Sequence, residues 1–516
     1  MIEFNKENIC IGEKSIALFS QAYCEASVIV PDVYPDIAKI IQISSTAGIT
    51  DKKCLADKVT MEGKAEIVIL YLGDDEKVYS ITTSQPFSHI IDAKGAAEPM
   101  YTQAEITVDS IDHTLLNTRK LNIKILMGID ANVTEDVNAQ ICTALSTDEP
   151  FEVLNCTISP YPVIKRAFEQ LCIREKLDLP GGKPSIEKLL STDVCIRNRE
   201  YMLSTDKMII KGILLVSTIY CSDVDGKIHC AEHEVPFAET ISIPDVTEDM
   251  DAKLKLCVNR VFYKPEPDAD GDLRHITIEC IITADAKVCK KSDINIIKDI
   301  YCTKYPVIAE YENSVITSLL AENSCQISAK DVASLDENSE DISHVFTISP
   351  KAHLAGARTE GNTVIIEGII ETDIMYVSDQ SKNPVNTHRH TQQFSHSFEI
   401  PHHEDDVVCD VHIDIVHSSY TISMGNEIDL RFVLQLDTDV LANHNTRYIK
   451  SVRRDEDNCY TERKSYCIKI YFAKQSDSLW SIAKLHKISR KSLMEINNIS
   501  SDSDLFDGRQ IMIPIK

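Results

Sequence analysis

The side chains best suited to chemistry by type and spacing are five histidines, His388, His390, His396, His402 and His403, since imidazoles this close together could converge on a transition metal. A polar hairpin and its loop would place the same residues without a metal, and no metal ligand is assigned. Leu179-Pro180-Gly181-Gly182-Lys183-Pro184 has the glycines of a phosphate loop, but proline follows the lysine where a magnesium-binding hydroxyl is required. Neither Gly-x-Ser-x-Gly nor His-Glu-x-x-His occurs, and among 80 acidic residues a carboxylate pair carries no information. With no catalytic set and no cofactor to name, the chain is expected to be non-enzymatic.

Charge narrows the partners. A formal net charge of −27 leaves no basic excess to displace counterions from a phosphate backbone, so nucleic acid is not the expected partner. The balance is uneven: residues 466–516 hold eight bases against five acids, whereas the rest is strongly acidic, which marks the tail as a separate module. Seventeen cysteines, an odd number with no Cys-x-x-Cys, suit reduced thiols. Acids in the first eight residues, no apolar run behind them and no 18-residue apolar stretch predict a cytoplasmic chain without a membrane span.

The 516 residues call for three or more cores, and the sequence shows how they are divided. Val59-Thr60-Met61-Glu62-Gly63, Met208-Ile209-Ile210-Lys211-Gly212 and Val364-Ile365-Ile366-Glu367-Gly368 are each followed by tyrosine eight residues after the glycine, at Tyr71, Tyr220 and Tyr376. Ile37, Ile186 and Ile342 each precede their glycine by 26 residues, and Phe87, Phe237 and Phe394 follow it by 24, 25 and 26. The β-branched runs around each glycine predict antiparallel strands, with the glycine at a bulge or a close backbone approach. Apolar spacing at i, i+3 and i+4 in Asp36–Ile41 and its counterparts predicts a short helix. Helical patterns such as Ile164–Leu171 predict packed connectors near 137–176 and 289–325, and the polar stretch from Asn443 to Ser465 a linker. The expected fold is mainly β: three tandem sandwich-like repeats with short helices at 1–145, 146–295 and 296–445, a linker at 446–465, and a βααβ module at 466–516.

Tyr471 to Ala483, with Ser476-Asp477-Ser478-Leu479 as the turn and Trp480-Ser481-Ile482-Ala483 opening a helix, resembles the start of a LysM domain; Ser489, Leu493, Asn497 and Gly508–Pro514 continue the pattern in order. That resemblance implies N-acetylated sugar binding at the loop of Ser476, Asp477, Ser478 and Gly508, although serine stands where the family has its turn glycine. Alternation along the first strand turns Ile468, Ile470 and Phe472 away from the helices. An exposed apolar face of that kind marks a protein interface, with Trp480 as a half-exposed anchor beside it.

With Pro31 to Ile37 and Glu62-Gly63, the three units are similar to DUF3794 repeats, and three of these followed by one LysM module resemble the SipL family of spore-coat morphogenetic proteins. The resemblance implies a mother-cell protein at the forespore surface that recruits coat by binding the coat ATPase SpoIVA through its LysM module. Other coat proteins or self-association would engage the repeats. The alternative is a protein that holds peptidoglycan or another N-acetylglucosamine polymer.

Overall fold

The β-branched runs pair as predicted. In the computed structural model, which describes residues 4–145, 147, 149–335, 341–378, 385–423, 426–458, 460 and 468–514, the first unit contains β1 (Phe4–Ile29), β2 (Ile37–Leu55), β3 (Lys58–Gly73), β4 (Val78–Asp92), β5 (Tyr101–Asn117) and β6 (Lys120–Leu145). They form two antiparallel sheets, β2-β3-β4 and β1-β6-β5. The inward faces of both, among them Ile67, Ile69 and Tyr71 on β3 and Ile123, Ile125 and Met127 on β6, close one apolar core. The plan recurs in β8 (Val163–Asp178), β9 (Ile186–Ser204), β10 (Lys207–Ser222), β11 (Ile228–Ser242), β12 (Asp251–Pro267) and β13 (Leu273–Cys289). It recurs again in β15 (Val307–Ser334), β16 (Ile342–Glu360), β17 (Thr363–Ser378), β18 (Asn386–Glu399), β19 (Val407–Ile422) and β20 (Glu427–Arg454). Flanking the second unit, β7 (Phe151–Ile158) and β14 (Ile294–Cys302) pair with each other.

The sequence landmarks are cross-strand partners. Gly63 lies opposite Phe87, Gly212 opposite Phe237 and Gly368 opposite Phe394. Each ring lies over its glycine so closely that a Cβ on Gly63 would stand 2.3 Å from Phe87 and 2.5 Å from the Gly48 carbonyl. The tyrosine eight residues on reaches back to the head of the unit: Tyr71 donates to the Pro35 carbonyl at 3.2 Å and Tyr220 to that of Pro184 at 3.0 Å.

Two helical expectations are corrected. Asp36–Ile41 and its counterparts are not helices but the starts of β2, β9 and β16, each with two bulges that break period two and so imitate a helical spacing. The bulges re-aim Ile41, Leu190 and Phe346 into a plug with Leu70, Ile219 and Met375, where the three units meet. The connectors near 137–176 and 289–325 are strands as well, β8 covering Ile164–Leu171; pairing with β13 overrides local helix propensity. Residues 446–454 of the expected linker belong to β20, and most of 459–467 lies outside the described residues.

At the end opposite the plug, the outer halves of β1 and β6, the β7–β14 pair, and the outer halves of β15 and β20 make three two-stranded ribbons. Their apolar faces, including Ile11, Ile141, Ile296, Ile316 and Tyr448, pack together. Between plug and ribbons lies a cavity of about 540 Å³ lined by all three units.

Candidate interaction site on the C-terminal module

The tail folds as β21 (Ile468–Phe472), α1 (Leu479–His486), α2 (Arg490–Asn497) and β22 (Gln510–Pro514). Ser478 starts α1 by accepting from the Ser481 amide, and the Ser478 amide in turn donates to the Ser481 hydroxyl at 2.9 Å. Ser489 caps α2 by accepting from the Ser492 amide at 3.1 Å. Leu479, Ile482, Ala483, Leu493, Ile511 and Ile513 fill the core under the two strands.

The opposite face of the strands is open, as alternation predicted. Ile470 is 55% exposed, Phe472 56%, and Met512, the cross-strand partner of Ile470, 40%. The backbone of Ile468 pairs with Pro514 at the end of the same ladder, while its side chain lies outside the described residues.

Trp480 is elsewhere. The expected half-exposed anchor is 8% exposed and turned onto the β7–β14 ribbon. Its ring meets Tyr301 edge-on at 5.0 Å between centroids, and Nε1 donates to Asp299 at 2.8 Å. The same carboxylate accepts from Lys484 Nζ at 2.6 Å and from the Tyr311 hydroxyl at 2.6 Å, and Tyr301 donates to the Ile488 carbonyl at 2.7 Å. Burial alone would raise the Asp299 carboxyl; the bonds from Lys484, Tyr311 and Trp480 outweigh it and hold the group below its ordinary value. Asp299 and Tyr301 escape a sequence reading because they stand about 180 residues from the module they hold.

The loop assigned to sugar is largely engaged by the protein itself. Asp477 accepts from the Tyr471 hydroxyl at 2.8 Å and the Lys474 amide at 2.9 Å. Asp502, from the loop after α2, accepts from the Leu479 amide at 2.6 Å. Ser476 is exposed and is not among the residues with left-handed backbone, so serine replaces the turn glycine there without strain. Gly508 does take positive φ, at 81°, and its amide donates to the Ala473 carbonyl.

The histidines find separate partners: His390 with Asp331 at 2.9 Å, His396 with Cys325 at 3.2 Å and His402 with Glu404 at 3.2 Å, while His403 bonds the Gly361 carbonyl. Among the described residues no three metal-binding side chains come together.

Fold and site thus define a three-repeat β protein that carries a small βααβ module docked on a ribbon. Residues 36–116, 185–266 and 341–423 match the SipL, SPOCS domain, and residues 472–514 match the LysM domain, together more than half the chain. The chain thus carries three SPOCS domains of the SipL type followed by one LysM domain. Each SPOCS match spans the inner four strands of a unit, β2–β5, β9–β12 or β16–β19, and leaves out the ribbon strands. No curated protein and no solved structure matches the chain. No helix among the described residues is long and apolar enough to cross a membrane.

Proposed function

We propose that the chain is a non-enzymatic adaptor of spore-coat assembly, working at the forespore surface, and that the open face of its LysM sheet binds a SpoIVA-like coat protein. The observation that carries this reading is the disposition of the module: Ile470, Phe472 and Met512 lie bare on one side, while the Trp480 side is fixed to the body by Asp299 and Tyr301. A bare apolar ladder on a rigidly held module suits a protein partner, because little ordering entropy remains to oppose binding. In this reading Ile468, Ile470 and Phe472 touch the partner and Trp480 positions them.

The test is capture of SpoIVA by the full chain and by its Phe472→Arg and Ile468→Arg variants, beside sedimentation with insoluble peptidoglycan. Loss of SpoIVA from both variants, with no glycan retention by the parent, supports the adaptor. Glycan retention that Asp477→Ala abolishes, with no SpoIVA capture, would instead favour the sugar reading that a LysM domain suggests.

A further inference from the structure

The three units are joined by one device used twice. At the first junction Lys52 of β2 reaches the second unit, where its Nζ lies 3.2 Å from Asp285 on β13 and 4.2 Å from the centroid of the Phe168 ring on β8. The lysine and aspartate side chains are 10% and 9% exposed, and Tyr101 steadies the carboxylate at 2.8 Å. At the second junction Arg199 of β9 reaches the third unit, 3.2 Å from Asp437 on β20 and 3.0 Å from Asp414 on β19. Asp285 and Asp437 occupy equivalent ladder positions, opposite Phe168 and Ser324.

The first unit carries the same receiver. Asp130 on β6 stands opposite Phe19 on β1, as Asp285 stands opposite Phe168. Here no cation among the described residues bonds the carboxylate itself, since Lys255 of β12 in the second unit pairs with Glu105, the ladder partner of Asp130. Phe19 is 65% exposed, and Asp130 has no ion pair among the described residues. The third unit, whose β16 would have to supply the cation, has Ala357 at the ladder position of Lys52 and Ala355 in the bulge that corresponds to the region of Arg199. No hydrogen bond or ion pair joins β5 to β16 among the described residues, although both line the central cavity. Tyr23, two ladder positions beyond Gln21 from Phe19 and 59% exposed, extends the open face and already carries Lys124 Nζ at 4.3 Å from its ring centre. Nearby Asp109 and Glu105 add further carboxylates; Lys255 pairs with Glu105 and also pulls the Asp130 carboxyl down, but burial and the two neighbouring acids leave it raised.

We propose that the outer face of the β1-β6-β5 sheet, centred on Phe19 and Asp130, docks a lysine or arginine presented on an extended segment of a partner protein. It is a vacant copy of the ring-and-carboxylate clasp filled at the first junction, and its carboxylate matches the receiver at the second. Ring face plus carboxylate is the chemistry that receives such a cation, through cation–π attraction and a charge-assisted bond. A net charge of −27 favours a basic partner over a second copy of this chain. The site is separate from the LysM face and does not depend on the adaptor's use of that face.

The test uses the full chain and, as probe, a fluorescent peptide of residues 47–56 with serine at position 54, the segment that carries Lys52 in the filled copy. Saturable binding is expected, falling as salt rises and weakened at least about tenfold, the worth of ~1.4 kcal/mol, by Asp130→Asn in the protein or Lys52→Ala in the peptide. Phe19→Ala should weaken it as well, and Phe472→Arg should not. Absence of saturable binding, or binding indifferent to Asp130→Asn, overturns the proposal. Self-association of the full chain in sedimentation velocity that Asp130→Lys abolishes would overturn it too, by giving the face to a second copy.

Discussion

Asp299→Ala should release the LysM module from the ribbon while leaving both folded. The carboxylate takes three side-chain donors and the Ile300 amide, and its loss orphans them unequally. The Trp480 indole is almost fully buried, and an unsatisfied buried donor costs about 1–3 kcal/mol. Lys484, with a side chain 35% exposed, can turn to water and contributes at most about 1 kcal/mol. Together these weaken docking by about 1–4 kcal/mol, or roughly 5- to 700-fold in the docked-to-free ratio. Trp480 is the chain's only tryptophan, so emission reports the dock directly. The variant should emit further to the red and be quenched more readily by acrylamide, with thermal unfolding of the β body unchanged. Unaltered emission and quenching would refute the reasoning, because the indole would then be held by the LysM core without its ribbon partner.

Further outcomes follow from the same contacts. Gly368→Ala sets a Cβ 2.3 Å from the Phe394 ring and 2.6 Å from the His353 carbonyl, and should destabilise the third unit by about 1–3 kcal/mol in chemical denaturation. Lys52→Ala strands Asp285 beside a neutral neighbour and should cost about 3 kcal/mol, read by calorimetry as earlier unfolding, whereas Lys52→Met should recover part of it through packing on Phe168. Burial would raise Asp414, yet His412 and Arg199 push it down to about 2, so its folded value lies below its unfolded one near 4. Its contribution is therefore complete above pH ~4 and lost as pH falls toward ~2, and Asp414→Asn should flatten that part of the stability profile.

Much of this architecture was legible because the repeat spacings record contacts. A glycine and a phenylalanine 24 to 26 residues apart are two ends of one cross-strand pair, with the interval set by the length of the hairpin between them. The open LysM face was legible for a similar reason: alternation in a two-stranded sheet leaves Ile470 and Phe472 one side to choose. The bulged strand starts were not. Two extra residues near the start of each strand shift the apolar period toward that of a helix, and no local signal separates the two readings until the partner strand is known. Trp480 was misjudged because its partner is the ribbon, and exposure inferred for a module alone does not survive when another part of the chain covers it.

The three units differ most where their sameness would be expected to close a ring. Equivalent residues build the plug, with Leu70, Ile219 and Met375 in one cluster, and the ribbons likewise pack around a shared core. These apolar contacts are tolerant of substitution as long as volume is kept, so all three copies can retain them. The ionic clasps are not tolerant, since a cation removed from one strand leaves its carboxylate unmatched on the next. The third unit has alanines at the cation positions, while the first keeps both Phe19 and Asp130. A receiver retained with no internal donor is better suited to contact with another molecule than to closure of the ring, and it places that contact on the body, away from the LysM face.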